Sequence, residues 1–305
     1  MHVQHRLSLL TKTYIHLMPL FLRNVMLLTA ALLISGCSYN KMLVRASTPM
    51  IEGGIYALNQ ETDLQLAEDS IPTNIELLEG FIHMDPENAQ LYTYAAQAYY
   101  GLAFGFNEDD RAARASDFYL RGIKRGITAL ELEGAHNLRN APIADFEKQV
   151  ADMGKDDVPA MFWTASCWAK WIDMHRDLPE AIAQLTRPTA LMQRVLDLED
   201  DFYYGGAHMY FGVYYGSRSP MLGGNFEQSR KHFDRAREIT DNRLLMPDLL
   251  QAQYLDRQQF NREDFHTRLT RVIEAPDDLF PEMALANEIA RHKATLLLKE
   301  ENEWF

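Results

Sequence analysis

The stretch AQLYTYAAQAYYGLAFGFNEDDRAARASDFYLRG, residues 89–122, decides the fold. Tyr92, Ala95, Ala96 and Tyr99 recur at three- and four-residue steps, large at the ends and small in the middle. Side chains at those steps share one face of a helix. Ala115, Tyr119 and Gly122 follow with a small, aromatic, small pattern, and the residues from Gly105 to Arg111 read as an insertion between two helices. Small residues let two antiparallel helices approach closely. The rings then fill the groove toward whatever packs next.

This unit resembles a tetratricopeptide hairpin. Tyr204, Ala207, His208 and Phe211 repeat its first half, and Ser229, Phe233 and Ala236 its second, around an insertion from Tyr214 to Asn225. A weaker unit starts near Met161, with Thr164, Ala165 and Trp168, and continues through Ala181 and Leu185. Each such hairpin leaves an apolar face that only a neighbour can bury. Strand signals are weak, and no Asn-Gly or Asp-Gly hairpin turn occurs. Prolines, among them Pro72, Pro86, Pro142, Pro188 and Pro276, read as the turns between helices. The spacing of the units is irregular. It predicts an all-α protein of tetratricopeptide-like antiparallel hairpins packed into an irregular, closed array.

The N-terminus has a different character. Arg6, Lys12 and Arg23 are its only formal charges before Cys37, and Val25 to Ile34 is a short apolar run. A positive flank, a short apolar run and small residues before a break mark a secretory signal. Ile34-Ser35-Gly36-Cys37 resembles the lipobox of bacterial lipoproteins, in which the cysteine is acylated and becomes the mature N-terminus. Residues 1–36 are thus expected to be a signal peptide, 37–62 an anchor-proximal segment and 63–305 the helical domain. The stretch before Arg23 is long for a signal, and Met18 is an alternative start. Ser38 points to the outer membrane by resemblance to enteric sorting rules, with the inner membrane left open.

The chain carries −13, and removing the three basic residues of the signal leaves −16 on the mature part. That charge repels phosphate backbones and anionic lipid, so it argues against a nucleic-acid partner and assigns membrane attachment to the acyl group. The only other cysteine, Cys167, sits in an apolar run and reads as a buried free thiol.

Chemistry is scarce. Nucleotide-loop and Gly-x-Ser-x-Gly motifs are lacking, and the histidines are scattered without paired spacing, so no cofactor and no metal are expected. The clusters Glu108-Asp109-Asp110, Asp156-Asp157 and Glu199-Asp200-Asp201 read as acidic helix starts. What stands out is the aromatic block from Phe202 to Tyr215 and the tryptophans before it. Trp171, Tyr203, Tyr204, His208, Tyr210 and Tyr214, with Arg218 as a cationic contact, are the candidate ligand-binding residues. They either line a concave site or pack in the core, and tyrosine hydroxyls favour a site with some polar character.

Several stretches together resemble one family, the T component of tripartite ATP-independent periplasmic (TRAP) transporters. They are Tyr99 to Phe106, Phe162 to Trp171, Phe202 to Tyr215, Ser217 to Pro220, Leu222 to Asn225 and Leu285 to Ala290. The resemblance runs from about Asp63 onward. It implies a lipid-anchored periplasmic protein without enzymatic activity, forming homo-oligomers and working beside a TRAP substrate-binding protein, the P component. It also implies a small organic ligand, of apolar character, passed toward the permease. The alternative is an envelope scaffold that assembles another complex and binds no ligand.

Overall fold

A computed structural model describes residues 40–305. The expectations for the signal peptide and for Cys37 fall outside the described residues. Two compact units are present, divided after Ile51. In the N-terminal unit, residues 40–51 are helical apart from a turn at Ser47. The packing and contacts described below are those of the unit from Glu52 to Phe305.

The architecture is all-α, as the hairpin spacing predicts. Helix α1 (Thr48–Asn59) leads into α2 (Leu64–Met84), α3 (Ala89–Phe106) and α4 (Ala112–Leu132). After α5 (Ile143–Asp152) come α6 (Val158–Met174), the short α7 (Pro179–Ile182) and α8 (Thr186–Leu198). Then follow α9 (Phe202–Gly216), α10 (Phe226–Ile239), α11 (Met246–Gln251) with a π-turn at Ala252–Asp256, α12 (Arg262–Glu274), α13 (Ala284–Lys299) and α14 (Glu301–Trp304). The expected hairpins are α3–α4 and α9–α10, and the weak unit is α6 with α8. That unit's second helix begins at Thr186, so Ala181 and Leu185 belong to the connection, with Ala181 on α7.

The small residues do what their spacing implies. Ala95, Ala96 and Ala115 are wholly buried at the α3–α4 seam. On α4, a Cβ at Gly122 would collide with the Cys167 thiol of α6, so glycine there sets how closely the two helices approach. Cys167 is buried and free, and burial pushes its thiol pKa up. Fully buried rings fill the layers: Tyr119, Phe146, Phe233 and Phe265 are each about 0 % exposed. Side chains of that size contribute roughly 1.5–3 kcal/mol each when buried.

Two expectations need correction. Pro72 lies inside α2 and ends nothing. A mid-helix proline forfeits one backbone hydrogen bond, and the flanking Ile71 and Ile75 offset it by packing against Tyr99 and Leu102. The residues Glu108 and Asp109 are not merely an acidic helix start. They receive Lys170 and Lys293 from other helices. Lys293 Nζ lies 2.8 Å from Asp109, and Ile289 packs against Gly105, so α13 returns to the α3–α4 turn and closes the array.

Candidate functional site

The entry to α9 is the most unusual backbone in the unit. Tyr203, Tyr204 and Gly205 are consecutively left-handed, with φ of 46°, 58° and 77°. Glycine adopts this freely, whereas an L-residue with a side chain is strained there, by roughly 1–2 kcal/mol each for a left-handed helical geometry. Ring contacts offset the strain. The Tyr203 ring stands edge-on to Trp163 at 4.6 Å, and Tyr204 stands edge-on to Phe280 at 5.3 Å. The turn therefore sends two adjacent tyrosines to different neighbours. The right-handed helix starts only at Gly206, so Tyr204 is not the helical position that the repeat spacing assigns to it.

Helices α6 and α9 meet at this point, since a Cβ on Gly206 would strike the Phe162 ring. From there an aromatic line runs inward. Trp163 contacts Tyr100 at 5.5 Å, and Tyr100 stacks on Phe104 at 5.6 Å and tilts against Tyr119 at 6.0 Å. The line then becomes polar. Tyr119 donates to Glu108 at 2.5 Å, and Lys170 Nζ lies 2.9 Å from the same carboxylate. Lys170 also donates to the Tyr254 hydroxyl at 3.2 Å, and Tyr254 donates to Asp173 at 2.6 Å.

The charges in this network are matched. Burial works against a charged Lys170, but Glu108, Tyr254 and Asp173 outweigh it and hold its pKa well above the ordinary lysine range. Burial likewise opposes the Asp173 carboxylate, and Lys170 and Arg176 reverse that, so its pKa is lowered. A lysine held protonated is not a nucleophile. Desolvation by burial raises the hydroxyl pKa of Tyr100, Tyr203, Tyr210 and Tyr254, that of Tyr203 to about 12.

Tyr100, Lys170, Tyr203 and Tyr210 are strongly desolvated by their neighbours, and each keeps partly accessible surface. At the far end of α6 and α9 the surface opens into a recess of ≈ 590 Å³. Asp173, Arg176, Ser217, Tyr254, Arg257 and Trp304 are among its walls. Asp173 and Tyr254 thus belong both to the buried network and to the recess. Arg257 lies over the Trp304 ring at 3.8 Å.

The seven residues singled out in the sequence separate into five places. Tyr203 stands on the aromatic line and Tyr204 against Phe280. Tyr210 stacks on Tyr214 at 6.2 Å and shares a 2.8 Å hydrogen bond with Thr189, while Arg218 lies over Tyr214 at 3.9 Å and donates to its carbonyl. His208 faces α10, its Nδ1 3.0 Å from that of His232 and its Nε2 3.6 Å from Asp200. Trp171 stacks on His175 at 4.6 Å, and its Nε1 is buried without a hydrogen-bond partner.

Sequence reasoning missed Tyr100, Glu108, Lys170, Asp173, Tyr254 and Lys293. One signal was present: Lys170 is a lone cation inside the apolar run from Phe162 to Trp171. Among the described residues no group of three or more His, Cys, Asp or Glu is placed to hold a metal ion. Among the same residues, no helix is long and apolar enough to cross a membrane.

Residues 60–305 match the family model described as TRAP transporter T-component (TAtT). No curated protein matches the chain.

Proposed function

The chain belongs to the TRAP transporter T-component family, and from that premise we propose that it is a non-catalytic, lipid-anchored periplasmic accessory of a TRAP uptake system. In this reading Cys37 carries the acyl anchor, in the outer membrane. The protein docks a TRAP substrate-binding protein and holds a small organic ligand between α6 and α9. It works as a homo-oligomer.

The observation that carries the ligand reading is the recess of ≈ 590 Å³ at the ends of α6 and α9, two of whose walls, Asp173 and Tyr254, belong to the charged network around Lys170. The run from rings at Trp163 and Tyr203 to the matched charges around Lys170 has the character of small-molecule sites, mostly apolar with a few polar groups. The protonated Lys170 and its paired carboxylates favour holding over catalysis. The family match supports the transporter assignment over a general envelope scaffold.

Capture of the mature chain from its native envelope tests this, with identification of co-purifying proteins and of small molecules released on denaturation. Recovery of a TRAP substrate-binding protein and an organic ligand is expected. Recovery of cell-wall enzymes alone, with no ligand, would return the scaffold reading. In the same cells Cys37→Ser is expected to release the protein from membranes, and retention would move the anchor elsewhere.

A further inference from the structure

We infer that the α9–α10 loop at Met221 and Leu222, together with the Phe260 ring, is the docking face for a protein partner. That partner offers apolar pockets to these side chains and a carboxylate to Arg257 in the recess beside them. The inference rests on the reading of the chain as an accessory that docks a TRAP substrate-binding protein, and it assigns that docking to one end of the array.

Three observations carry it. First, the loop holds apolar side chains in water on a fixed backbone. Met221 is 95 % exposed and Leu222 is exposed as well. Leu222 and Gly224 donate to the Ser219 carbonyl at 2.9 and 3.0 Å, and Asn225 donates to that of Tyr215 at 3.0 Å. Gly223 is left-handed with φ of 84°, and a Cβ on Gly224 would strike the Arg218 carbonyl. A loop shaped in advance in this way loses little freedom on binding. Second, Phe260 is 78 % exposed and left-handed, with φ of 53°. Its N–H lies 3.1 Å from the Arg257 carbonyl, closing a helical turn at a position where glycine or asparagine is usual. At Tyr203 ring contacts offset such strain, whereas the Phe260 ring is left in water. Strain of this kind gathers at binding sites. Third, both features stand at the rim of the recess. Ser217, where the loop begins, and Phe260 are among its walls, and Arg230 in the second turn of α10 donates to Gln259 at 3.2 Å. Exposed apolar surface gathered in one place marks an interaction site. Methionine, aromatic rings and arginine are the residues enriched in protein interfaces.

The partner's chemistry follows from Arg257. Its guanidinium lies over the Trp304 ring at 3.8 Å and, among the described residues, makes no ion pair. Burial lowers its pKa, Glu300 opposes this and Arg176 adds to it, so an incoming carboxylate is favoured. The occupant is a protein and not the anchoring membrane. Glu52, where this unit begins, accepts a 2.8 Å hydrogen bond from Tyr94 near the start of α3. The end of α3 lies elsewhere, with Phe104 under Lys170 near the end of α6. The chain therefore enters the unit at the end opposite the recess, and an anchor upstream of Glu52 joins the array at its far side.

The test uses the substrate-binding protein recovered by envelope capture, purified and mixed with the mature chain. The photo-crosslinker p-benzoyl-phenylalanine replaces Met221, Phe260 or, as a control, Lys155, which is exposed just before α6 at the opposite end. Adducts with the substrate-binding protein are expected from Met221 and Phe260 and not from Lys155. Met221→Glu, Arg257→Gln and Phe260→Asn are each expected to raise the Kd roughly ten-fold or more. Asparagine accepts the left-handed backbone more readily than phenylalanine. Phe260→Asn is therefore expected to keep or raise the Tm, which separates lost docking from lost folding. Adducts only between copies of the chain, adducts from Lys155 alone, or Kd values within about two-fold of wild type in all three variants overturn this docking face. Each of those results leaves the partner itself standing. Capture that recovers no substrate-binding protein overturns the accessory reading, and this face with it.

Discussion

Tyr254 donates a 2.6 Å hydrogen bond to Asp173, joining the π-turn after α11 to the end of α6 across 81 residues of sequence. The same carboxylate lies 3.5 Å from Lys170, which in turn reaches Glu108 after α3 at 2.9 Å, so three parts of the array converge on a single cation. Removing one partner of a buried pair leaves an uncompensated charge and costs about 3–5 kcal/mol. Lys170→Met is therefore expected to lower the unfolding free energy by about that amount in urea titrations. Adding Glu108→Gln to it should restore part of the loss, because the stranded carboxylate goes with it. A loss in Lys170→Met below about 1 kcal/mol would show that water screens the cluster.

Gly122 and Cys167 make a second, purely steric relationship. A methyl group at Gly122 has no room against the thiol, and overpacking of this kind costs about 1–3 kcal/mol. Gly122→Ala should destabilise the protein in that range, and the double variant with Cys167→Ala should recover most of it. Independent, additive losses would mean that α4 and α6 slide apart freely, contrary to the packing described.

Asp248 is 2 % exposed and faces three arginines: Arg237 at 3.0 Å, Arg268 at 3.4 Å, and Arg271. It joins α10, α11 and α12. Asp248→Ala removes a buried partner shared by three guanidinium groups, of which Arg237 keeps Asp234 and Arg268 keeps Asp256, and is expected to cost about 2 kcal/mol or more. Arg271→Ala, at a residue that is 55 % exposed, should cost less than about 1 kcal/mol. Equal effects in the two variants would refute the idea that burial of Asp248 governs this junction.

The hairpins were legible because their signal is local. Tyr92, Ala95, Ala96 and Tyr99 lie within two helical turns, and spacing alone places them on one face. The site was legible only in part. Tyr203 could be singled out from its aromatic neighbourhood, but its left-handed backbone could not, because tertiary contacts with Trp163 impose it against local preference. The charged network was hidden for another reason. Glu108, Lys170, Tyr254 and Lys293 come from four separated stretches, and each looks like ordinary surface chemistry until the array closes. His208 and His232 show the same limit, since 24 residues separate two rings that lie 3.0 Å apart at Nδ1.

That histidine pair makes the fold sensitive to acid. Burial lowers the pKa of both rings, and the neighbouring His208 adds to the effect at His232, which falls to about 4. Around His208, Asp200 and Glu238 oppose this shift and Arg235 supports it. At a 3.0 Å Nδ1 separation, one ring must donate and the other accept, so the two cannot both be protonated without losing the bond. An unfolded histidine titrates near pH 6.5. Below that pH the unfolded chain binds more protons than the folded one, and stability falls as the pH drops from about 6.5 toward about 4. The expected loss between pH 7 and pH 5 is on the order of 1 kcal/mol, allowing for screening at a partly exposed pair. His232→Phe keeps a ring for the stacks on Phe211 and Tyr215 and removes the titrating group. Urea titrations at pH 7 and pH 5 should show a smaller fall for this variant than for the wild type. An equal fall would assign the acid sensitivity to other groups and leave the histidine pair a packing contact.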